Sequence, residues 1–416
     1  MAEIIRQPLS NSKSFKFAVL FLIFLASISL TASIIANDKP LFVKAGSGFW
    51  FPAFSGETYY NQDLRFADLA EIPSDTITVI MPPVWYAPGA TDIENSGFKS
   101  PGQTQFKDEA GSRKMLRGWE RHHLGTGKRG EDILSGLIHG TRISLSVGIY
   151  CAIIAGFIGI LLGCIAGYFG DRGISIPRGV AFTTTLGLLP AWFYAFNVKT
   201  YLITAEVPVS TATATLQTIA SILSFASVVA IFALPGLLLN RIPFLKSKIN
   251  LPIDWIISRV IEIVNSLPRL IIIISIAAVS RPSMANIILL IGLTYWTEIA
   301  RITRSEIMRI RGTDYIASAK SSGASPWRIL FKQALPNALP VITVSLVACM
   351  ASAILTESSL SFLGLGVPVD IVTWGSLLAG AREQFDAWWL VVFPGAMVFL
   401  TILSLNKIAD TISSRN

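Results

Sequence analysis

Eight stretches of about twenty mostly apolar residues punctuate this chain, near 17–36, 143–169, 179–198, 217–240, 256–280, 285–303, 338–364 and 387–408. A helix needs roughly 20 such residues to cross about 30 Å of hydrocarbon. Lipid offers backbone N–H and C=O groups no partners, so a spanning segment must satisfy them within itself. The chain has 416 residues, is 52% hydrophobic and 14% charged, and has a mean hydropathy of +0.58. A soluble domain is about 25% charged. The pattern predicts an all-α polytopic membrane protein with about eight transmembrane helices. The stretch at 256–280 is the most polar at its start, where Arg259 and Glu262 are expected to snorkel to the interface. Those at 179–198 and 217–240 are interrupted by proline.

The net charge of +8 is distributed as in a membrane protein, and nucleic acid is not an expected partner. With eight spans the loops form two alternating sets. One set carries Arg6, Lys13, Lys16, Arg172, Arg178, Arg241, Lys246, Lys248, a dense run from Arg301 to Lys332, Lys407 and Arg415. The other short loops carry little beyond Lys199, Arg281 and Arg382. The positive-inside rule puts the first set and both termini in the cytoplasm. The basic run at 113–129 falls on the other side, in a loop long enough for the rule to lose force. The first apolar run is longer than a signal-peptide core and lacks a following small-x-small site, so it reads as an uncleaved span. Cys151, Cys164 and Cys349 all fall within spans and read as small packing residues.

The chain divides into a tail and first span (1–36), a large extracytoplasmic loop (37–142) rich in Gly, Pro, Trp and Tyr, a second span (143–172), an inserted two-span hairpin (173–252), and the remaining spans (253–416). Trp50, Trp85 and Trp119 are expected to pack the loop, and Trp388 and Trp389 to form an aromatic belt.

Residues 313–336, TDYIASAKSSGASPWRILFKQALP, form a polar, basic segment between apolar stretches. Thr313 can cap a short helix ending before Gly323, the residue type suited to a left-handed exit. Ser325 can cap a second, with Pro326 in its first turn. That helix is expected to stop at Leu335–Pro336, because proline cannot extend it. Ala317, Ser318 and Ala319 are small enough for a partner to approach the backbone, and Arg328 and Lys332 lie one turn apart. On composition alone the segment also fits an amphipathic loop resting on lipid headgroups.

The identities here resemble a known family. Tyr315, Ala317-Ser318-Ala319, Gly323-Ala324, Arg328 and Leu335-Pro336 look like the "EAA" loop of ABC-importer permeases. The run from Tyr315 to Pro340 is similar to the C-type permease subunit of dipeptide/oligopeptide/nickel importers. So are HLGT at 123–126, ILSGLIHGTRISLSVG at 133–148, AGYFGD at 166–171, AILTESSLSFLGLG at 353–366 and Trp374-Gly375-Ser376. Together these cover about half the chain in the family's order. The chain departs from the pattern at Ala317, where glutamate is usual, and at Gly127 and Glu131, which replace Asp and Arg. Residues 173–252 have no counterpart in the six-span pattern.

The resemblance implies a type I importer permease core of six spans plus the inserted hairpin, in a bacterial inner membrane. It implies two cytoplasmic ABC ATPase subunits docked on the 313–336 loops, a second permease subunit in a heterodimer, and an extracytoplasmic substrate-binding protein. Peptide is the implied cargo, with nickel or another small solute as alternatives. The chain's own residues hold no G-x-x-x-x-G-K-[ST] phosphate loop, so no cofactor is expected on it and ATP belongs to the partners. No zinc spacing or nucleophilic triad is legible, and His122 and His123 read as a surface turn. Glu357, among Thr356, Ser358 and Ser359, reads as pathway-lining or as part of a buried bond network. Arg269, after Ser266-Leu267-Pro268, is expected to satisfy carbonyls freed by the proline. Glu298 and Arg301 are expected to pair. An ion-coupled secondary transporter is the rival reading; it would need deep ion sites on broken helices from related repeats, and no repeat is visible.

Overall fold

The computed structural model describes residues 13–45, 48–55, 77–109, 112–198, 211–239, 247–280, 282–365, 367–368 and 370–414. Arg6, Lys199, Arg241, Lys246, Arg281 and Arg415, used above to assign loops, lie outside these residues. The helices are α1 (Lys13–Ile35), α2 (Ile133–Phe169), α3 (Arg178–Trp192), α4 (Thr211–Leu239), α5 (Ile253–Asn265), α6 (Arg269–Val279), α7 (Met284–Arg311), α8 (Asp314–Ser321), α9 (Pro326–Phe362), α10 (Trp374–Gly380) and α11 (Trp389–Ser413). The chain separates into two units, Met1–Cys164 with Ile261–Asn416, and Ile165–Val260.

Among the described residues, α1, α2, α7, α9 and α11 are long and apolar enough to cross a bilayer. Helices α5 and α6 make a sixth span if their 71° bend is taken as one broken crossing. The expected figure of about eight is therefore not reached by length and apolarity alone. Helix α3 has only 15 residues before a π-helical stretch at Phe193–Val198, and the apolar part described in α4 is Leu223–Leu237. Helix α2 also opens ahead of its apolar stretch. Asp132 accepts from the Ser135 N–H at 2.6 Å, capping the helix at Ile133.

The first unit is organised around α2. Its small residues form a face along which neighbours come close. A Cβ on Gly156 would stand 2.6 Å from Leu346 of α9, and one on Gly148 2.8 Å from Ile354. One on Gly163 would stand 2.6 Å from the Ala300 carbonyl of α7, and one on Gly159 2.8 Å from Ile299. The register (Gly292 against Ile154, Ala300 against Gly163) makes α2 and α7 parallel, whereas α9 runs antiparallel to both. Helix α11 packs against α9 and α1. The core includes Leu145, Ile354, Trp374, Trp389 and Val398. Trp389 is thus a buried residue and not the expected belt: only 5% exposed, its indole N–H reaches the Thr126 carbonyl at 3.2 Å. Trp388 remains half exposed. All three cysteines are free and buried, as expected of packing residues.

The polar stretch before α2 forms a small antiparallel sheet, β1 (Phe42–Ala45) between β2 (Gly48–Trp50) and β3 (Ile77–Ile80), and a hairpin, β4 (Phe106–Glu109) with β5 (Ser112–Met115). Trp119 does not pack this region. It is 63% exposed, with its ring edge to His123. In the second unit, β6 (Ser175–Pro177) pairs antiparallel with β7 (Lys248–Asn250) and closes the base of a hairpin. Its helices α3 and α4 touch where Gly187 meets Phe232 and Gly236 meets Val180.

Gly159→Leu is expected to cost about 1–3 kcal/mol by overpacking α2 against α7. Because every cysteine is buried, a thiol-reactive dye read against temperature should show earlier labelling in this variant. Gly395→Ala, whose added Cβ meets nothing within 4 Å, should label like the parent.

Candidate functional site

At one end of the first unit, α7, α8 and the start of α9 build the polar segment. Thr313 holds the N-cap position of α8 in extended backbone, but its hydroxyl donates backward to the Ile310 carbonyl at 2.6 Å and closes α7. Helix α8 ends in a Schellman turn: the Gly323 N–H bonds the Lys320 carbonyl and the Ala324 N–H the Ala319 carbonyl. Gly323 has φ +76°, which the missing Cβ permits. Ser325 accepts from the Arg328 N–H at 3.4 Å, with Pro326 in the first turn.

Leu335–Pro336 does not end the following helix. Residues Leu330–Ala334 widen into a π-turn, and the Leu335 N–H reaches back five residues to the Leu330 carbonyl. This slack accommodates Pro336, which lacks an N–H and would crowd a regular turn. The second half of the segment is therefore a rigid extension of α9.

Ala317, Ser318, Gly323 and Arg328 are exposed; Ala319, Ala324, Leu335 and Pro336 are half-buried. Tyr315 accepts from Asn337 at 3.0 Å, tying α8 to α9. Ile316, Ile329, Leu330 and Ala334 are buried beneath. The same face shows two aromatics that the sequence reading passed over. Trp327 and Phe331, one turn apart, are about half exposed and stack at 5.9 Å. The i, i+4 spacing of large apolar residues in a polar stretch was the available signal.

Deeper in the unit a polar network crosses the helices. Glu357 is fully buried. It accepts from Ser361 at 2.7 Å, with the Ser144 and Ser358 hydroxyls each 3.5 Å away. No ion pair reaches it among the described residues. Next to it in sequence, Thr356 shares a 2.9 Å hydrogen bond with Tyr295. Arg269 lies over the Tyr295 ring at 4.3 Å and 3.4 Å from Glu298. Glu298 is thus engaged by Arg269, not by the expected Arg301. The contacts of Arg269 among the described residues are thus Glu298 and the Tyr295 ring, not the backbone carbonyls expected beside Pro268. The broken pair α5–α6 is fixed to α7 through Asn265–Thr297 and Arg269–Glu298.

At the opposite end of the unit, His122 overturns its reading as a surface residue. It is fully buried, whereas His123 is exposed. Its Nδ1 is 2.8 Å from Asp132, its Nε2 3.2 Å from Asp92, and its ring stacks on Tyr86 at 3.9 Å. Two ionised carboxylates accept only, so both ring nitrogens must carry protons to satisfy both bonds. Burial opposes that charge, but the bonds to Asp132 and Asp92 outweigh it and hold the His122 pKa above its ordinary value. Burial likewise opposes the Asp92 charge, and the His122 and Asn95 bonds outweigh it and hold its pKa below the usual carboxylate range. Burial, with Asp92, Asp132 and Glu120 nearby, pushes the Tyr86 phenol up. The two departures at Gly127 and Glu131 are coupled. A Cβ at 127 would stand 2.6 Å from the Glu131 carboxylate, which pairs instead with Arg129.

The sign of the His122 linkage follows from its raised pKa. Its stabilisation is complete below the unfolded value of about 6.5 and is lost as pH rises through the folded value. The Asp92 contribution is present above about 3.9 and fades as pH falls through its depressed folded value. Limited proteolysis within residues 77–132 should therefore accelerate as pH is raised toward 9. In His122→Gln, cleavage should be faster at pH 6 and nearly independent of pH.

Residues 236–416 match the family model described as "Binding-protein-dependent transport system inner membrane component". A putative peptide transport system permease protein of Brucella suis is 37% identical over 158 residues, 38% of this chain and 53% of that protein. The chain thus spans about half the length of that relative. The di/tripeptide transport system permease protein DppC of Pseudomonas aeruginosa is 27% identical over 70% of this chain and 71% of its own length. The dipeptide transport system permease protein DppC of Bacillus subtilis is 26% identical over 70% and 66%. The spanning helices, the polar helix–turn–helix at 313–336 and these matches point the same way: residues 236–416 of this multi-pass chain are similar to the inner membrane components of binding-protein-dependent transport systems.

Proposed function

We propose that the chain is the permease subunit of an ATP-driven importer of short peptides, working by alternating access and coupled through residues 313–336 to separate ATPase subunits. The observation that carries this reading is the form of that segment. A short helix with exposed Ala317 and Ser318 lies at the end of the bundle, turned by Gly323 onto the first turns of the long helix α9, which carry the stacked Trp327–Phe331 pair and run without a break into the spanning part. Such a surface offers a partner a close backbone approach and an apolar anchor. Any displacement there is carried along α9 as a lever, because an α-helix is axially stiff and the π-turn keeps its hydrogen bonds closed. For coupling, the ATPase must bind this surface differently in its two nucleotide states.

In this reading the 313–336 end and both termini face the cytoplasm. The region of residues 77–132 faces outward, toward a substrate-binding protein, and a second permease subunit completes the pathway. ATP is held by two partner ATPases. Peptide is favoured as cargo because the three relatives named above carry peptide, di/tripeptide or dipeptide in their names.

Recovery of the tagged chain from its native membrane should bring with it an ATPase with a phosphate-binding loop and a second multispan protein. Trp327→Ala with Phe331→Ala should lose the ATPase while the chain still inserts. Gly323→Pro, which cannot adopt a positive φ, and Ala319→Trp should abolish most peptide uptake without loss of folded protein. Normal uptake by folded forms of these variants, or a chain recovered alone from several detergents, would overturn the reading.

A further inference from the structure

The break between α5 and α6 leaves polar groups uncovered at a depth where lipid can satisfy none of them. Asn265, Ser266, Leu267 and Pro268 are all exposed. Among the described residues no backbone N–H reaches the carbonyls of Asn265, Ser266 or Leu267. Beside them Arg269 and Glu298 pair at 3.4 Å, with side chains still 30% and 49% exposed. The pair lies well inside the hydrocarbon. A Cβ on Gly159 of α2 would stand 2.8 Å from both the Trp296 carbonyl and Ile299, so Gly159 is level with Glu298. Helix α2 carries no charge between Arg142 and its end at Phe169. Gly159 lies about 25 Å from the first and about 15 Å from the second along the helix. Arg269 opens the 11-residue α6 and stands about 15 Å from its far end. On α2 near the same level, exposed Ile153 and Phe157 are apolar, a surface that lipid suits.

Ionisable side chains at such depth face a bundle interior or water. Irregular backbone is tolerated there only where protein buries it or where it lines a water-filled cavity. This chain buries neither the pair nor the break. We infer that residues 265–268, with Arg269 and Glu298, form part of the wall of a water-filled pathway through the membrane. Water then satisfies the free carbonyls and the outer sides of the ion pair. Resting on the importer reading above for its cargo, the wall offers those carbonyls as acceptors to the N–H groups of a passing peptide. Arg269 and Glu298 cancel each other's charge, and the wall passes polar cargo without fixing its sign.

All three native cysteines are buried, which gives introduced cysteines a quiet background. Ser266→Cys, Leu267→Cys and Phe157→Cys are made in the full assembly, in native membrane vesicles of both orientations. Each is treated with a charged, membrane-impermeant methanethiosulfonate. Ser266→Cys and Leu267→Cys should label from at least one side and about tenfold or more faster than Phe157→Cys, because only an ionised thiol reacts and one facing hydrocarbon stays protonated. Excess trialanine should slow labelling at 266 and 267 and leave 157 unchanged. Rates at 266 and 267 as slow as at 157 would overturn the wall. So would labelling that appears only when the second multispan protein is stripped away, which assigns the break to a subunit contact. Labelling indifferent to the peptide would remove the cargo from this surface. Peptide uptake that persists while the two positions resist labelling leaves the importer reading standing. Rapid labelling beside a parent that takes up no peptide would remove that reading and keep the wall.

Discussion

The close approach of α2 to its neighbours is the constraint on which the first unit depends. Gly148 and Gly156 let α9 come to contact, and Gly159 and Gly163 do the same for α7. In lipid there is no solvent-driven penalty for separating apolar helices, so tight packing and buried hydrogen bonds must supply the cohesion. The same face carries Ser144, which lies 3.5 Å from Glu357 only because the backbones are near. Larger side chains along this face would remove both the contact surface and one of the hydroxyls that make a buried carboxylate tolerable.

That proximity also explains the order of the region after α9. Trp374 is fully buried against α2 and donates to the Leu137 carbonyl at 3.3 Å. Gly375 lets the chain pass so close that a Cβ would meet the Ser358 carbonyl at 2.6 Å. Ser376 and Thr373 exchange bonds in a capping box. Trp389 and His122 then tie the polar region before α2 to the helix ends, one through the Thr126 carbonyl and the other through Asp132. Together these contacts hold the segment after α9 and the polar region before α2 against the start of α2.

At the other end the decisive feature is continuity. A proline that would ordinarily stop a helix is absorbed by a π-turn, so the Trp327–Phe331 surface and the spanning segment belong to one continuous helix. The polar contacts from Arg269 through Tyr295 to Thr356 then link the broken helix pair to α9 beside Glu357.

The sequence by itself determined the class of the fold. Apolar runs long enough to span a bilayer leave helices as the only arrangement that satisfies the backbone, and this holds whatever packs against them. It also determined the local devices whose physics is short-range, the left-handed exit at Gly323 and the Ser325 cap with Pro326, but not the Thr313 cap, whose hydroxyl turns back to the Ile310 carbonyl. What it left open depends on partners distant in the chain. Arg269 prefers Glu298 and Tyr295 because the bend brings α6 against α7, which spacing cannot show. His122 is buried because Asp92, 30 residues earlier, and Asp132 close on it from two sides. The passage of α9 through Leu335–Pro336 follows from packing that holds Leu330 and Ala334 buried in a widened turn. Local propensity marks where a helix can begin or turn; only tertiary contact decides which long-range pair forms and which proline is overridden.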